Sequence, residues 1–146
     1  MSLIRSTIQT AIVAALNGAG KPSGIPSAAV ARGRQATANT ILVYRVDDPA
    51  ERMGGPRGPA YRRRLRFRVE CRATTAATGD PYSNVDALEA WVVKAVGGLL
   101  IPGTLHEVTL DTTDYTEEAA DRAYVRADVF VVVSYQHRSD DLEQWG

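Results

Sequence analysis

The chain has 146 residues and a formal net charge of zero, with 17 Lys and Arg against 17 Asp and Glu. That length suits one domain that can bury about two-thirds of its unfolded surface, and 45% hydrophobic against 23% charged residues excludes a chain disordered throughout. One cysteine excludes an intramolecular disulfide framework, and a neutral chain does not coat a polyanion by charge alone.

The zero conceals a split. Residues 1–79 carry thirteen Lys and Arg against four acids, which is +9, and residues 80–146 carry four against thirteen, which is −9. Such halves either interleave and cancel within the fold or offer complementary patches to other copies. The longest apolar run, Ala11 to Leu16, has six residues, and Val129 to Val133 has five, far short of the ~18 of a membrane span. The first residues lack the basic-then-apolar pattern of a signal peptide. The expectation is a protein made in the cytoplasm and used there or in a particle.

The first element is an amphipathic helix with Ile4, Ile8, Ala11, Ile12, Ala15 and Leu16 on one face. Ser2 can cap its start, and Asn17-Gly18 supplies left-handed stop residues. Residues 18–39 read as a loop with a short extended piece between Ile25 and Val30. Thr40 to Val46 is a β-branched strand, and residues 47–60, with three Gly and three Pro, read as a long mobile loop. In the next strand Leu65, Phe67, Val69 and Cys71 alternate with Arg64, Arg66, Arg68, Glu70 and Arg72, which puts the apolar set on one face and the charges on the other.

A second helix opens after Ser83 as cap, with Val85, Leu88, Val92, Ala95, Val96 and Leu99 as its buried stripe. Two strands follow, about Glu107 to Asp114 and Tyr124 to His137, joined by an acidic connector from Thr116 to Asp121. Together these elements predict a single α+β domain over residues 1–138, an antiparallel-dominated sheet of about four to five strands with two helices on one face, and a loose tail over 139–146.

Catalytic chemistry is hard to assemble. His106 and His137 have no Cys or acid at metal-ligand spacing and read as surface histidines. Cys71 falls on an apolar face, as a buried, inert thiol. Gly18-Ala19-Gly20-Lys21 follows a helix and has Pro22 where a phosphate loop needs Ser or Thr. The acids of residues 107–121 read as a solvated face. No catalytic, cofactor-binding or metal-binding residue is predicted, and the chain does not read as an enzyme. The binding signal is the run Arg52, Arg57, Arg62, Arg63, Arg64, Arg66, Arg68 and Arg72. It fits acidic surfaces of a protein partner, a solvated sheet face, or nucleic acid. Aromatics for base stacking are few, Tyr61 and Phe67, and Phe67 points to the core side.

The order of elements resembles the tail terminator proteins of long-tailed phages, the lambda-like minor tail protein U group. The resemblance rests on the opening helix Ile4 to Leu16, the strands Ile41 to Val46 and Leu65 to Cys71 split by a long loop, the helix start Asn84-Val85-Asp86-Ala87-Leu88-Glu89-Ala90-Trp91-Val92, and the closing runs Thr109 to Tyr115 and Ala127 to Tyr135. It covers about residues 3–138. It implies a structural, non-enzymatic virion protein that closes into a six-fold ring on the completed tail tube, stops tube growth and offers the head-joining surface. Implied partners are further copies, the tail tube protein and a head-completion or neck protein, with no membrane, cofactor or nucleic acid.

A ring needs two different complementary patches on each subunit. Arg62, Arg64, Arg66 and Arg68 of one copy are expected to face Glu117, Glu118 and Asp121 of the next, with Arg52, Met53 and Arg57 in a loop that orders against the tube. Competing readings are a head-completion, neck or tail-tube protein of the same virion, and a nucleic-acid-binding module built on the Arg strand.

Overall fold

Helix α1 (Ile4–Leu16) forms where a large aliphatic residue recurs every fourth position, with neither Gly nor Pro between. Ile4, Ile8, Ile12 and Leu16 are buried as one stripe. A computed structural model of the chain describes residues 4–22, 29–30, 39–53, 60–74, 80–99, 107–118, 124–138 and 141–145. After α1 the left-handed residue is Gly20, with φ of 96°, and not Asn17 or Gly18 as the sequence suggested. The reason is the turn that follows: Lys21 N donates to Gly18 O at 3.3 Å, and a Cβ on Gly20 would stand 3.4 Å from the Trp91 ring.

The strands are β1 (Ala29–Val30), β2 (Thr40–Asp47), β3 (Ala50–Met53), β4 (Ala60–Thr74), β5 (Glu107–Glu118), β6 (Tyr124–Arg138) and β7 (Asp141–Trp145), with helix α2 (Pro81–Val96) between β4 and β5. They form one sheet whose antiparallel body runs β2-β4-β6-β5. Short strands extend it: β1 lies parallel on β2, β3 pairs with the first residues of β4, and β7 pairs with the end of β6. The α+β class, the antiparallel body and the two helices on one face are as expected from the sequence.

Period two decides the core. Ile41 and Val43 of β2, Leu65, Phe67, Val69, Cys71 and Ala73 of β4, and Val125, Ala127, Val129, Val131, Val133 and Tyr135 of β6 all turn to the helices. The register stacks them in rows, such as Val43, Val69 and Val129, or Phe67 with Val131. Each large aliphatic or aromatic side chain buried this way contributes about 1.5–3 kcal/mol. α2 closes the layer with Val85, Leu88, Trp91, Val92 and Val96. Trp91 Nε1 donates to Leu16 O at 3.0 Å, which satisfies a carbonyl at the end of α1 and ties the helices together.

Four boundaries differ from the sequence reading. α2 starts at Pro81 and not after Ser83. Its cap is Asp80, which accepts from Tyr82 N and Ser83 Oγ, each at 3.3 Å, and Pro81 fills the first position, where a missing N–H costs nothing. Residues 50–53, assigned to a long loop, are strand β3, because the Gly and Pro residues concentrate at 49 and 54–59 and leave Ala50–Met53 free to pair. β5 continues through Glu118, so Glu117 and Glu118 belong to a strand and not to a connector. The tail expected to be loose contributes β7, which pairs beside α1.

Candidate functional site

The sheet face turned away from the helices carries the arginines. Across β4 and β6, Arg72 stands opposite Arg126, Glu70 opposite Asp128, Arg68 opposite Phe130, Arg66 opposite Val132, Arg64 opposite Ser134 and Arg62 opposite Gln136. The face therefore changes character along the strands. At one end its charges are internally compensated, and at the other they are not.

The compensated end is a buried ion cluster. The Glu70 side chain is only 1% exposed, 2.9 Å from the guanidiniums of Arg72 and Arg126. Arg126 also lies 3.4 Å from buried Asp128. Like charges sit directly opposite, so Glu70 reaches Arg126 diagonally across the strands and Arg72 along its own, and Asp128 reaches Arg126 along its own. Burial and the hydrogen-bonded Glu70 carboxylate push the Tyr44 phenol up, and the Arg68 guanidinium lies 4.4 Å from the centre of the Tyr44 ring.

At the other end Arg66 is held within the chain, 3.1 Å from Asp47 and 5.7 Å from the Phe130 ring centre. Arg62 and Arg64 are exposed and have no ion-pair partner among the described residues. Arg64, Arg66, Asp47, Pro49 and Val132 line an open groove of about 300 Å³. Here the basic charge of the first half of the chain is presented outward.

A second polar cluster seats the β3–β4 hairpin on the helix side. Asp48 accepts from the buried Tyr135 hydroxyl at 2.8 Å and from Arg63 Nη1 at 3.4 Å, and Arg5 of α1 approaches to 3.8 Å. Arg63 Nε donates to His137 Nε2 at 2.7 Å, and the His137 ring stacks on Tyr61 with centroids 5.5 Å apart. His137, expected on the surface, is 2% exposed, because its period-two position on β6 turns it under the hairpin. Burial and the Asp48 bond push the Tyr135 phenol upward. These residues are far apart in sequence and carry no local motif, so the cluster was not foreseen. Cys71 is buried, and desolvation pushes its thiol up to about 12, which keeps it protonated and unreactive.

Of the residues singled out from sequence, Arg62, Arg64, Arg66 and Arg68 do share one face of β4, the first two without an ion-pair partner among the described residues and the last two engaged. Glu117 and Glu118 pair with Val125 and Tyr124 on edge strand β5. Ten residues of β6 separate Tyr124 from Ser134, the partner of Arg64, or roughly 33 Å along the sheet. Within one molecule these basic and acidic groups stand well apart. Arg52 is exposed on β3, and Met53 ends that strand. Arg57, Asp121 and His106 lie outside the described residues.

No protein-family model matches the chain, and no curated protein matches it. The fold is similar to that of a chain in a solved structure titled "Virion of native gene transfer agent (GTA) particle", with a TM-score of 0.51 at 14% identity, over 92% of this chain and 92% of that one. At that identity the likeness is one of fold.

Proposed function

We propose that this chain is a structural protein of a phage-like virion and, within it, the tail terminator: copies join head to tail into a ring, six-fold by the family resemblance, that caps the tail tube, stops its polymerisation and presents the surface that joins the head. The observation that carries this reading is the placement of charge. Arg62 and Arg64, at one end of the central strand, have no ion-pair partner among the described residues, and Glu117 and Glu118 lie on the opposite edge strand, roughly 33 Å along the sheet. One molecule cannot bring them together, and a neighbour can. The fold shared with a chain from a virion particle supports the setting.

Arg52, Met53 and, outside the described residues, Arg57 belong to the hairpin that would meet the tube, and Asp121 would extend the acidic patch. A neck protein or tube subunit built on the same scaffold is separated from a terminator by phenotype. Particles lacking this chain are expected to show overlong, headless tails by electron microscopy. Full heads without tails, or no tubes at all, would instead assign the chain to the neck or the tube. Nucleic acid is less well served, because Glu70 and Asp128 lie within the Arg face and Arg66 and Arg68 are already engaged.

A further inference from the structure

Two strands on opposite sides of the sheet have one open side each among the described residues: β3 pairs only with β4, and β5 only with β6. Ala50, Glu51 and Arg52 of β3 are all exposed. An uncovered edge presents free N–H and C=O groups to any strand that can pair with them.

One hydrogen bond fixes which groups these are. Arg64 N donates to Pro49 O at 3.2 Å, which makes residues 49 and 64 a hydrogen-bonded pair. Antiparallel ladders alternate, and the register runs Ala50↔Arg63, Glu51↔Arg62, Arg52↔Tyr61 and Met53↔Ala60. Glu51 and Met53 therefore direct their backbone groups at β4, and Ala50 and Arg52 direct theirs outward. Carried across β4 and β6, the same alternation turns the amides of Tyr115 and Glu117 away from β6, to the open side of β5.

We infer that β5 of a second copy adds to the open edge of β3, so that the sheet continues from one subunit into the next. This rests on the ring reading and gives it a main-chain contact. Charge selects the occupant. β5 carries Glu107, Asp111, Asp114, Glu117 and Glu118 with no Lys or Arg, while the hairpin presents Arg52, Arg62 and Arg64 against the single acid Glu51. Pairing β5 with β5 would juxtapose like charges, and a second β3, which carries Glu51 beside Arg52, offers the hairpin's arginines less negative charge than β5 does. Joining opposite edges of one sheet is a heterologous contact, the kind that closes into rings, with backbone bonds supplying affinity and side chains specificity.

The test is amide hydrogen exchange read residue by residue on the full chain, dilute and concentrated. In dilute solution the Ala50 and Arg52 amides are expected to exchange fast and the Glu51 amide slowly. On association Ala50, Arg52, Tyr115 and Glu117 are expected to slow together, by tenfold or more as an order of magnitude. Arg52→Pro removes one outward donor at a position that edge strands tolerate. It is expected to keep the monomer's melting temperature and lose association, while Arg52→Ala still associates. Association with Ala50 and Arg52 unprotected, or an Arg52→Pro variant that associates like Arg52→Ala, overturns strand addition and leaves a ring held by side chains. Protection of β3 without Tyr115 and Glu117 overturns β5 as the occupant. A chain that never self-associates overturns both this inference and the ring.

Discussion

Changing Arg62 and Arg64 together to glutamate is expected to leave a folded monomer that no longer self-associates. Both side chains are exposed and without an ion-pair partner among the described residues, so the fold loses little, within about 0.5 kcal/mol for surface changes of this kind. The interface loses more. An exposed ion pair contributes about 0–1 kcal/mol, and reversal replaces attraction with repulsion of similar size. Two such reversals cost about 2 kcal/mol per interface, roughly thirtyfold in affinity. A ring repeats that loss at every junction. Adding Glu117→Arg and Glu118→Arg to the same chain is expected to restore association, because the swapped charges again attract. Sedimentation of the three proteins side by side checks this. Wild-type association by the double reversal, unaffected by salt, would remove Arg62 and Arg64 from the interface.

Glu70→Ala is expected to be the most damaging single change outside the apolar core. Glu70 is the acid between Arg72 and Arg126, which stand directly opposite each other. Without it two part-buried guanidiniums face one another, and the Tyr44 hydroxyl loses an acceptor. Removing one partner from a buried ion cluster costs about 3–5 kcal/mol, and the lower figure applies here, because Arg72 and Arg126 are 17% and 20% exposed and water can reach them. About 3 kcal/mol corresponds to a fall in melting temperature of roughly 10 °C for a chain of this size. Glu70→Gln, which keeps the shape and an acceptor oxygen, is expected to lose less. Thermal unfolding by circular dichroism separates the two, and equal melting temperatures for wild type and Glu70→Ala would show that the cluster contributes nothing to the fold.

Glu70 also shows how far the sequence reaches. Period two assigns each residue of β4 to the correct face, so the core of Leu65, Phe67, Val69 and Cys71 is legible from the chain alone. Periodicity does not say whether a face meets water. The alternation groups Glu70 with the arginines of the charged face, yet its neighbours on β2 and β6 bury it completely. His137 shares the cause, since its burial depends on Tyr61 and Arg63, more than seventy residues earlier. Strand β3 was hidden for a different reason: four pairing residues flanked by Pro49 and the Gly/Pro run at 54–59 vanish when composition is averaged over the whole stretch. Glu117 and Glu118 gave no strand signal because no apolar residue alternates with them. Their pairing is supplied by β6, a long-range partner that outweighs local preference. The candidate site was half legible. The Arg face is legible from the sequence, and only the structure shows that Arg72 and Arg126 are compensated while Arg62 and Arg64 have no ion-pair partner among the described residues.

The Glu70 cluster takes one acid and one base from each half, Glu70 with Arg72 and Asp128 with Arg126, so it leaves the opposed charges of the two halves separated between the hairpin and the acidic edge strand. The measurement that tests this most directly is the molar mass of the wild-type chain by light scattering across concentration and salt. A monomer is expected when dilute and a single closed species of fixed mass when concentrated, with the transition moving to higher concentration as salt screens the contact, the Debye length being about 8 Å at physiological ionic strength. A mass that stops at a dimer, grows without limit or ignores salt would contradict it.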